Sequence, residues 1–382
     1  MALRTKVAAY FSYLMTSGSS QWWNKPMLAV LHCLSLLYTV GVNRRYESYQ
    51  KHPARQHKLP VPVISIGNIT VGGTGKTPMT CHLARYLQRH GYHVALLNRG
   101  YRSEMEETGA VVSDGQQLLL PPHMGGDEAC LMARNLPGVP VLVGRNRSDM
   151  GKRAVMEFKP QVILLDDGFQ HWQLHRDLDI VLIDATNPFG NGYLLPRGIL
   201  REPLTQLKRA DAIVLTKADQ CSREELDEIR EDLRQYNKKA PLVEAVHSVS
   251  WCISYDDWID TTKQNTTAPG LPADKTVTAV SGLGNPESFE YTVQSYGYIL
   301  DDTIRYDDHH QYTADDIDQM RTVAKENNTV LITTEKDAIK MPKDAVQALD
   351  VPLYVLGMDI EIIEGKEELQ YLLQGVMEGT KL

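Results

Sequence analysis

After Pro60, short and continuously apolar runs alternate with segments of helical pattern. Residues 61–66 form the first apolar run, and residues 78–89 carry the helical pattern that follows a glycine-rich turn. Runs that are apolar at every position are typical of parallel strands covered on both faces. Further runs of this kind are residues 93–97, 161–165, 180–183 and 212–215. The pattern predicts an α/β fold with a mostly parallel sheet sandwiched by helices.

Three of these runs end at a polar residue: Asp166, Asp184 and Thr216. Binding sites in open parallel sheets gather at the carboxyl ends of the strands. The sequence therefore predicts a site at this edge of the sheet.

The pattern changes again near residue 254. Residues 254–275 are polar and rich in Thr, Asn, Gly and Pro, which indicates a linker or a long excursion. Strand-like residues 277–280 and 329–333 flank a helical pattern at 314–326, and together they predict a second, smaller α/β unit. The domain boundaries drawn from these changes are a docking segment at 1–45, a nucleotide-binding domain at 46–253, the linker at 254–275 and the smaller domain at 276–382.

The N-terminal segment has two apolar stretches, at residues 7–15 and 27–42. As a helix, the longer stretch would reach about 24 Å, which is less than the roughly 30 Å of a hydrocarbon core. Trp22 and Trp23 precede it, and Arg44 and Arg45 follow it. Such flanks are typical of an interfacial helix. A buried helix of the folded body fits the residues equally well, and the segment alone does not decide between the two.

Composition and charge narrow the class of protein. Of the 382 residues, 42% are hydrophobic and 23% are charged, which excludes a disordered or polytopic membrane protein. The net charge of −8 is uneven, because residues 1–60 hold eight basic residues and one acidic residue. A basic segment on an acidic body predicts an anionic partner, either a membrane surface or nucleic acid. The five cysteines form no CxxC pair, so a zinc site or disulfide framework is not indicated.

The strongest chemical signal is the glycine-rich turn between the first strand and its helix, Gly72-Gly73-Thr74-Gly75-Lys76-Thr77. Glycines let backbone N–H groups turn towards an anion, and the helix N-terminus favours negative charge. In a phosphate-binding loop, Lys76 would reach the β- and γ-phosphates and the Thr77 hydroxyl would bind magnesium. The first glycine of the usual motif is Thr70 here, and Gly72 and Gly73 supply the flexibility.

A second signal lies at the end of the run at residues 161–165, where Asp166 and Asp167 follow. A strand that ends in a carboxylate holds magnesium in many nucleotide-binding folds, directly or through water. Together with the phosphate loop, these residues predict a nucleotide site with Mg²⁺.

The residues alone leave the acceptor of the phosphate open. Asp127-Glu128 and Asp307-Asp308-His309-His310 could supply a base with its orienting partner, a metal site, or merely solvated surface charge. Thr216-Lys217-Ala218-Asp219 resembles the base-reading NKxD motif of GTPases, with Asn replaced. A nucleotide-dependent regulator or a metal-chaperone ATPase therefore stays an alternative to a kinase.

Several motifs occur in one order along nearly the whole chain, and together they resemble the tetraacyldisaccharide 4′-kinase (lipid A 4′-kinase) family. They are Gly67-Asn-Ile-Thr-Val-Gly-Gly-Thr-Gly-Lys-Thr-Pro78, Asn98-Arg-Gly-Tyr101, Gly126-Asp-Glu128, Asp166-Asp-Gly-Phe-Gln-His171, Leu200-Arg-Glu-Pro203, Asp308-His-His310 and Thr334-Glu-Lys-Asp337.

The resemblance implies a kinase that transfers the γ-phosphate of ATP to the 4′-hydroxyl of a tetraacylated glucosamine disaccharide 1-phosphate, giving lipid IVA. It implies a location on the cytoplasmic face of a bacterial inner membrane, with the N-terminal helix docked on the anionic lipid surface. The lipid acceptor is the implied partner, and no nucleic acid or protein partner is predicted.

The resemblance also assigns roles to residues. Asp127 takes the catalytic position, with His309 as its partner in activating the hydroxyl. The nucleotide positions are Thr70, Val71, Gly72, Gly73, Thr74, Gly75, Lys76, Thr77 and Arg201. The metal positions are Thr77, Asp166, Asp167 and Glu202.

Overall fold

A computed structural model of the protein describes residues 24–260, 270–272, 274–308 and 310–379. The apolar stretch at residues 7–15, residues 261–269 and 273 of the predicted linker, and His309 lie outside the described residues.

Twelve strands and twelve helices follow one another in the described part of the chain. The strands are β1 (Val63–Asn68), β2 (Val94–Asn98), β3 (Ala110–Ser113), β4 (Val141–Val143), β5 (Val162–Asp166), β6 (Leu178–Asp184), β7 (Ala212–Thr216), β8 (Leu242–Ser254), β9 (Thr276–Ser281), β10 (Ile299–Arg305), β11 (Val330–Thr334) and β12 (Leu353–Glu364). The helices are α1 (Lys25–Lys51), α2 (Lys76–Arg89), α3 (Pro122–Gly125), α4 (Asp127–Asn135), α5 (Arg147–Phe158), α6 (Arg223–Tyr236), α7 (Tyr255–Asp260), α8 (Pro286–Ser295), α9 (Ala314–Asn327), α10 (Glu335–Ala338), α11 (Lys343–Gln347) and α12 (Lys366–Glu378).

Each apolar run predicted to be a strand is one, with its ends displaced by two residues or fewer. The predicted helices at 78–89 and 314–326 are α2 and α9. The predicted fold class, a mostly parallel α/β sheet with helices, is confirmed. Strands β3, β4, β8, β10 and β12 were not predicted.

The chain forms two compact units, and each is built from separate segments. The first unit comprises the described parts of Met1–Lys76, Asp167–Val246 and Ile362–Leu382. Within it, β1 pairs in parallel with β6, β6 with β7, and β7 with the start of β8. One apolar core that includes Ile69, Phe169 and Val181 lies in this unit. The parallel register brings the carboxyl ends of β1, β6 and β7 to one edge.

The second unit comprises Thr77–Asp166 and His247–Glu361. Strand β2 pairs in parallel with β5 and β4, and β3 pairs antiparallel to β4. Strand β9 lies between β10 and β11, and β11 pairs with β12, all in parallel. The continuous domains predicted from the sequence are untested by this division and stay a prediction.

Helix α1 belongs to the first unit and packs against it by one face only. On that face, the Ser35 hydroxyl donates to the carbonyl of Leu194 (2.9 Å) and the Tyr38 hydroxyl to the carbonyl of Arg201 (3.1 Å). The other face exposes large apolar side chains, namely those of Met27, Val30, Leu34, Leu36, Leu37 and Val40. By length and composition, the helix could cross a membrane. The reading of this stretch as a buried helix is wrong, because only Leu31 and Ser35 within it are buried.

Close packing in the second unit gives a test of the fold at Gly357 in β12. A Cβ atom at this position would lie 2.0 Å from Cε2 of Trp251 in β8. Gly357→Ala should therefore lower the free energy of unfolding by about 2 kcal/mol, the usual cost of overpacking. Urea denaturation followed by circular dichroism measures the change.

The matched control is Gly41→Ala in α1, where an added Cβ would meet nothing within 4 Å. Alanine favours a helix over glycine by up to about 1 kcal/mol, so this variant should be at least as stable as the parent. Equal effects of the two substitutions would contradict the packing at Gly357.

Candidate active site

The phosphate-loop motif lies directly between β1 and α2, as predicted. Gly72 and Gly75 have φ angles of +115° and +79°, a backbone conformation that favours glycine. Added Cβ atoms at Gly72 and Gly73 would meet nothing within 4 Å, so the space above this turn is open. Thr74 beneath it is buried. The loop therefore offers backbone N–H groups and room for an anion.

Asn68, the last residue of β1, holds this loop in place. Its buried carboxamide donates to the Thr74 hydroxyl (2.9 Å) and accepts from Nη1 of Arg201 (3.0 Å). Its backbone carbonyl accepts from Nε2 of Gln170 (2.8 Å). On the other side of the loop, the Thr216 hydroxyl donates to the carbonyl of Thr74 (3.2 Å). These contacts fix both the loop and Arg201 relative to β1.

Asp167 lies between two cations of the first unit. Its carboxylate accepts two hydrogen bonds from Arg201, at 2.8 and 3.2 Å, and lies 3.9 Å from Nζ of Lys76. Burial alone would lower the pKa of Arg201, but the neighbouring groups, with the Asp167 carboxylate first among them, together outweigh burial and raise that pKa. Asp167 itself has a φ of +50°. The predicted residues Lys76, Asp167 and Arg201 are therefore brought together in one network with a net positive charge.

Glu202 is completely buried next to this network. Its carboxylate accepts from Nε2 of Gln170 (2.7 Å) and pairs with Arg209. Burial raises the pKa of Glu202, although the neighbouring Arg209 works in the opposite direction. Both of its oxygens are occupied by protein groups, and its predicted contact with a metal stays a prediction.

In the second unit, Asp166 is held at the end of β5. Its two oxygens accept from the Thr80 hydroxyl (3.0 Å) and from Nδ2 of Asn98 (2.8 Å). Thr77 precedes Thr80 by three residues in α2, so the two lie on the same face of the helix. The predicted metal residues Thr77 and Asp166 thus lie on neighbouring elements.

The donor set in this region fits Mg²⁺. Among the described residues, no group of three or more His, Cys, Asp or Glu side chains is placed to hold a metal ion. Mg²⁺ does not need such a group, because it usually binds one or two carboxylates together with waters and substrate phosphates. The Thr77 hydroxyl and the carboxylates of Asp166 and Asp167 are hard oxygen donors of this kind.

Asp127 begins α4 and follows a tightly packed turn. Gly126 has a φ of +90°, and a Cβ there would lie 3.3 Å from Cα of Gly100. The carboxamide of Asn98 accepts from the backbone N–H of Gly100 (2.6 Å), besides its bond to Asp166. Asn98 therefore links the Asp166 carboxylate to the turn that positions Asp127.

Lys336 connects α4 with the loop that precedes His309. Its Nζ lies 3.7 Å from Oε1 of Glu128 and 3.4 Å from Oδ1 of Asp308. Burial would lower the pKa of Lys336, but these two carboxylates outweigh it and raise that pKa. The ammonium group therefore holds together two acidic segments that would otherwise repel each other.

His310 has its own partners and does not take part in this cluster. Its Nε2 lies 3.0 Å from Oδ2 of Asp316, and its ring stacks on that of Tyr306 with centroids 4.5 Å apart. The role in catalysis predicted for His309 stays a prediction.

Sequence reasoning assigned no role to several residues that the structure places in the site. Four of them lie inside the motifs quoted above, so membership of a motif was the signal that could have found them: Asn68, Asn98, Gln170 and Lys336. No sequence pattern pointed to Thr80 or Arg209.

Comparison with known proteins agrees with these motifs. Residues 27–378 match the sequence profile of a family described as tetraacyldisaccharide-1-P 4′-kinase. A tetraacyldisaccharide 4′-kinase of Halothermothrix orenii is 40% identical over 369 residues, which are 94% of this chain and 96% of the relative. One of Syntrophus aciditrophicus is 37% identical over 361 residues, 93% and 94% of the two chains.

A solved structure is also similar along most of its length. It is the crystal structure of LpxK from Aquifex aeolicus in complex with ATP, which has a TM-score of 0.69 and 28% sequence identity. The alignment covers 92% of this chain and 99% of that one. The chain therefore belongs to the tetraacyldisaccharide-1-phosphate 4′-kinase family.

Proposed function

We propose that the protein is an ATP-dependent kinase that phosphorylates the 4′-hydroxyl of a tetraacylated glucosamine disaccharide 1-phosphate to give lipid IVA. The observation that carries the proposal is the open phosphate loop between β1 and α2, with Lys76 beside it, in a chain of this family. The names of the curated relatives support the choice of acceptor.

The first unit supplies the nucleotide contacts in this proposal. Backbone N–H groups of residues 72–75 and the ammonium of Lys76 bind the phosphates. Arg201 adds a second cation, which Asp167 orients. Thr77, Asp166 and Asp167 would hold Mg²⁺, which would supply further positive charge beside the phosphates. Positioning and charge neutralisation of this kind carry most of the catalysis in phosphoryl transfer.

The second unit supplies the group that activates the acceptor. Asp127, assisted by His309, accepts the proton of the 4′-hydroxyl as its oxygen attacks the γ-phosphorus. The bond between that phosphorus and the β-γ bridging oxygen breaks, and ADP leaves. Lys336 keeps the α4 terminus and the Asp308 loop together while this takes place.

Helix α1 gives the proposed enzyme access to its lipid. Its exposed apolar face would enter the interface of an anionic membrane, while Arg44 and Arg45 lie in its C-terminal half. The acyl chains of the acceptor then stay in the bilayer while the sugar reaches the site. We place the protein on the cytoplasmic face of a bacterial inner membrane, where ATP is present.

The direct test is an assay with γ-labelled ATP, the tetraacyldisaccharide 1-phosphate and the full-length protein in mixed micelles. We expect label in the lipid, and ³¹P NMR should find the new phosphate at the 4′ position. Lys76→Ala should abolish the transfer because the γ-phosphate loses its contact. Hydrolysis of nucleotide at full rate without lipid, and no label in the lipid, would instead support a nucleotide-dependent regulator.

Asp127→Asn should lower kcat by about a hundredfold or more, since general-base catalysis contributes about 10²–10⁴-fold. Affinity for ATP should change little, because Asp127 is not assigned to the nucleotide. Steady-state kinetics and calorimetric ATP binding separate the two effects. Glu104→Gln, an exposed acid of the same unit, is the control. A loss confined to ATP affinity would contradict the role of Asp127.

Lys336→Met should lower kcat by about tenfold. Without the ammonium, Glu128 and Asp308 repel each other and the start of α4 shifts, and a small displacement of Asp127 there is costly for catalysis. The KM for ATP should be unchanged. Lys336→Arg should restore most of the activity, since it keeps the positive charge between Glu128 and Asp308. Lys325→Met, which removes an exposed lysine paired with Asp350, is the matched control. Equal activity of the Met and Arg variants would refute the positioning role.

Replacing Val30, Leu34 and Leu37 with Gln should weaken binding to vesicles of phosphatidylethanolamine and phosphatidylglycerol by at least about tenfold, since each buried side chain contributes about 1.5–3 kcal/mol. These side chains are 56%, 46% and 70% exposed. The control is Met156→Gln in α5, which removes an apolar side chain that is 72% exposed. Unchanged vesicle flotation of the triple variant would show that another surface docks.

A further inference from the structure

The turn Thr216-Lys217-Ala218-Asp219 at the end of β7 has no role in the proposed mechanism. It lies in the first unit together with the phosphate loop. Strand β7 is joined to β1 through β6, and all three are parallel. The turn and the phosphate loop therefore lie at the same edge of this sheet, where such folds bind nucleotides.

The structure attaches this turn directly to the phosphate loop. The buried hydroxyl of Thr216 donates to the carbonyl of Thr74 inside the loop (3.2 Å). The carbonyl of Thr216 accepts from the backbone N–H of Ala185, which follows β6 (3.0 Å). The start of the turn is thus fixed both to the element that binds phosphate and to the neighbouring strand.

Lys217 fixes the rest of the turn. Its side chain is 3% exposed, and its ammonium pairs with Oδ2 of Asp184 at the end of β6. The other oxygen of Asp184 accepts from the backbone N–H and the hydroxyl of Thr186, at 3.0 and 2.6 Å. A lysine held in this way contributes no free charge to bind phosphate. Its role is to hold the backbone, which has a φ of +58° at this residue.

Asp219 follows in the short 3-10 helix Ala218–Gln220 and is exposed at this edge. A carboxylate can only accept hydrogen bonds at neutral pH. The base of a nucleotide whose phosphates lie on the loop can offer it donors. Guanine presents two on its Watson–Crick edge, N1–H and the 2-amino group, whereas adenine presents a 6-amino donor beside the acceptor N1.

We propose that Thr216-Lys217-Ala218-Asp219 is the base-reading turn of the nucleotide site and that Asp219 lets this enzyme use GTP as well as ATP. The inference rests on the nucleotide-binding part of the proposed function and not on the identity of the acceptor. It makes Asp219 a specificity-determining residue of the chain.

The test compares ATP, GTP and XTP with the full-length protein. Xanthine carries a carbonyl where guanine has the 2-amino group, so an Asn side chain should pair with it better than Asp does. We expect the parent to use GTP with a kcat/KM within about tenfold of that for ATP, since a carboxylate can accept from donors on either base. Asp219→Asn should lower kcat/KM for GTP by about ten- to a hundredfold and raise it for XTP.

Two further variants keep the result interpretable. Asp219→Ala should lose the use of GTP without gaining that of XTP, because it removes the acceptor and adds no donor. Asp232→Asn, an exposed aspartate in α6 of the same unit, should leave all three nucleotides unchanged. An unaltered ratio of GTP to ATP in Asp219→Asn and Asp219→Ala, or a parent that uses ATP more than a hundredfold better than GTP, would overturn the proposal.

Displacement of a fluorescent ATP analogue by each nucleotide measures the same preferences without any lipid. If the lipid accepts no phosphate but GTP and XTP displace the analogue as expected, the proposed acceptor is wrong and the base-reading turn stands. If the lipid is phosphorylated but the variants do not change the nucleotide preference, the kinase stands and the base-reading turn is wrong.

Discussion

The buried carboxamide of Asn68 is the constraint on which the nucleotide half of the site depends. It is the last residue of β1, and it donates to Thr74 while it accepts from Arg201. An apolar residue at this position would leave both the Thr74 hydroxyl and the Arg201 guanidinium without this partner. Because one rigid group makes both contacts, the conformation of the phosphate loop and the position of Arg201 are coupled. This coupling extends to Lys76, because Arg201 holds Asp167 and the Asp167 carboxylate lies near the Lys76 ammonium.

The second unit uses the opposite arrangement of charge. Around Asp167 two cations share one carboxylate, which suits a region that receives a polyphosphate. Around Lys336 one cation lies between the carboxylates of Glu128 and Asp308 and offsets their mutual repulsion, which suits the region proposed to accept a proton. An excess of positive charge there would stabilise the ionised form of a nearby acid and weaken it as a base. The balance of charge in each unit thus matches the step proposed for it.

How far the sequence predicts this structure depends on how local each interaction is. Strands β1, β2, β5 and β7 are buried along their whole length, and β6 is buried up to its half-buried last residue, so their apolar runs were visible. Strand β10 is mostly exposed or half-buried and contains Asp301 and Asp302, and β4 has three residues, so neither has a recognisable pattern. In the site, Lys76 and Asp166 belong to local motifs. The bond from Asn98 to Asp166 spans 68 positions, and only the tertiary fold brings its ends together.

Helix α1 shows how a surface contact reaches the site. Although it is long enough to span a bilayer, its Ser35 and Tyr38 hydroxyls are bound to the segment that ends at Arg201. A helix inserted across the bilayer would have to break these bonds and bury the two hydroxyls in hydrocarbon, which is costly. A helix lying in the interface keeps them and still buries its apolar face. Docked in this proposed way, the helix would set the depth of the nucleotide site relative to the lipid surface through the contact of Tyr38 with the backbone of Arg201.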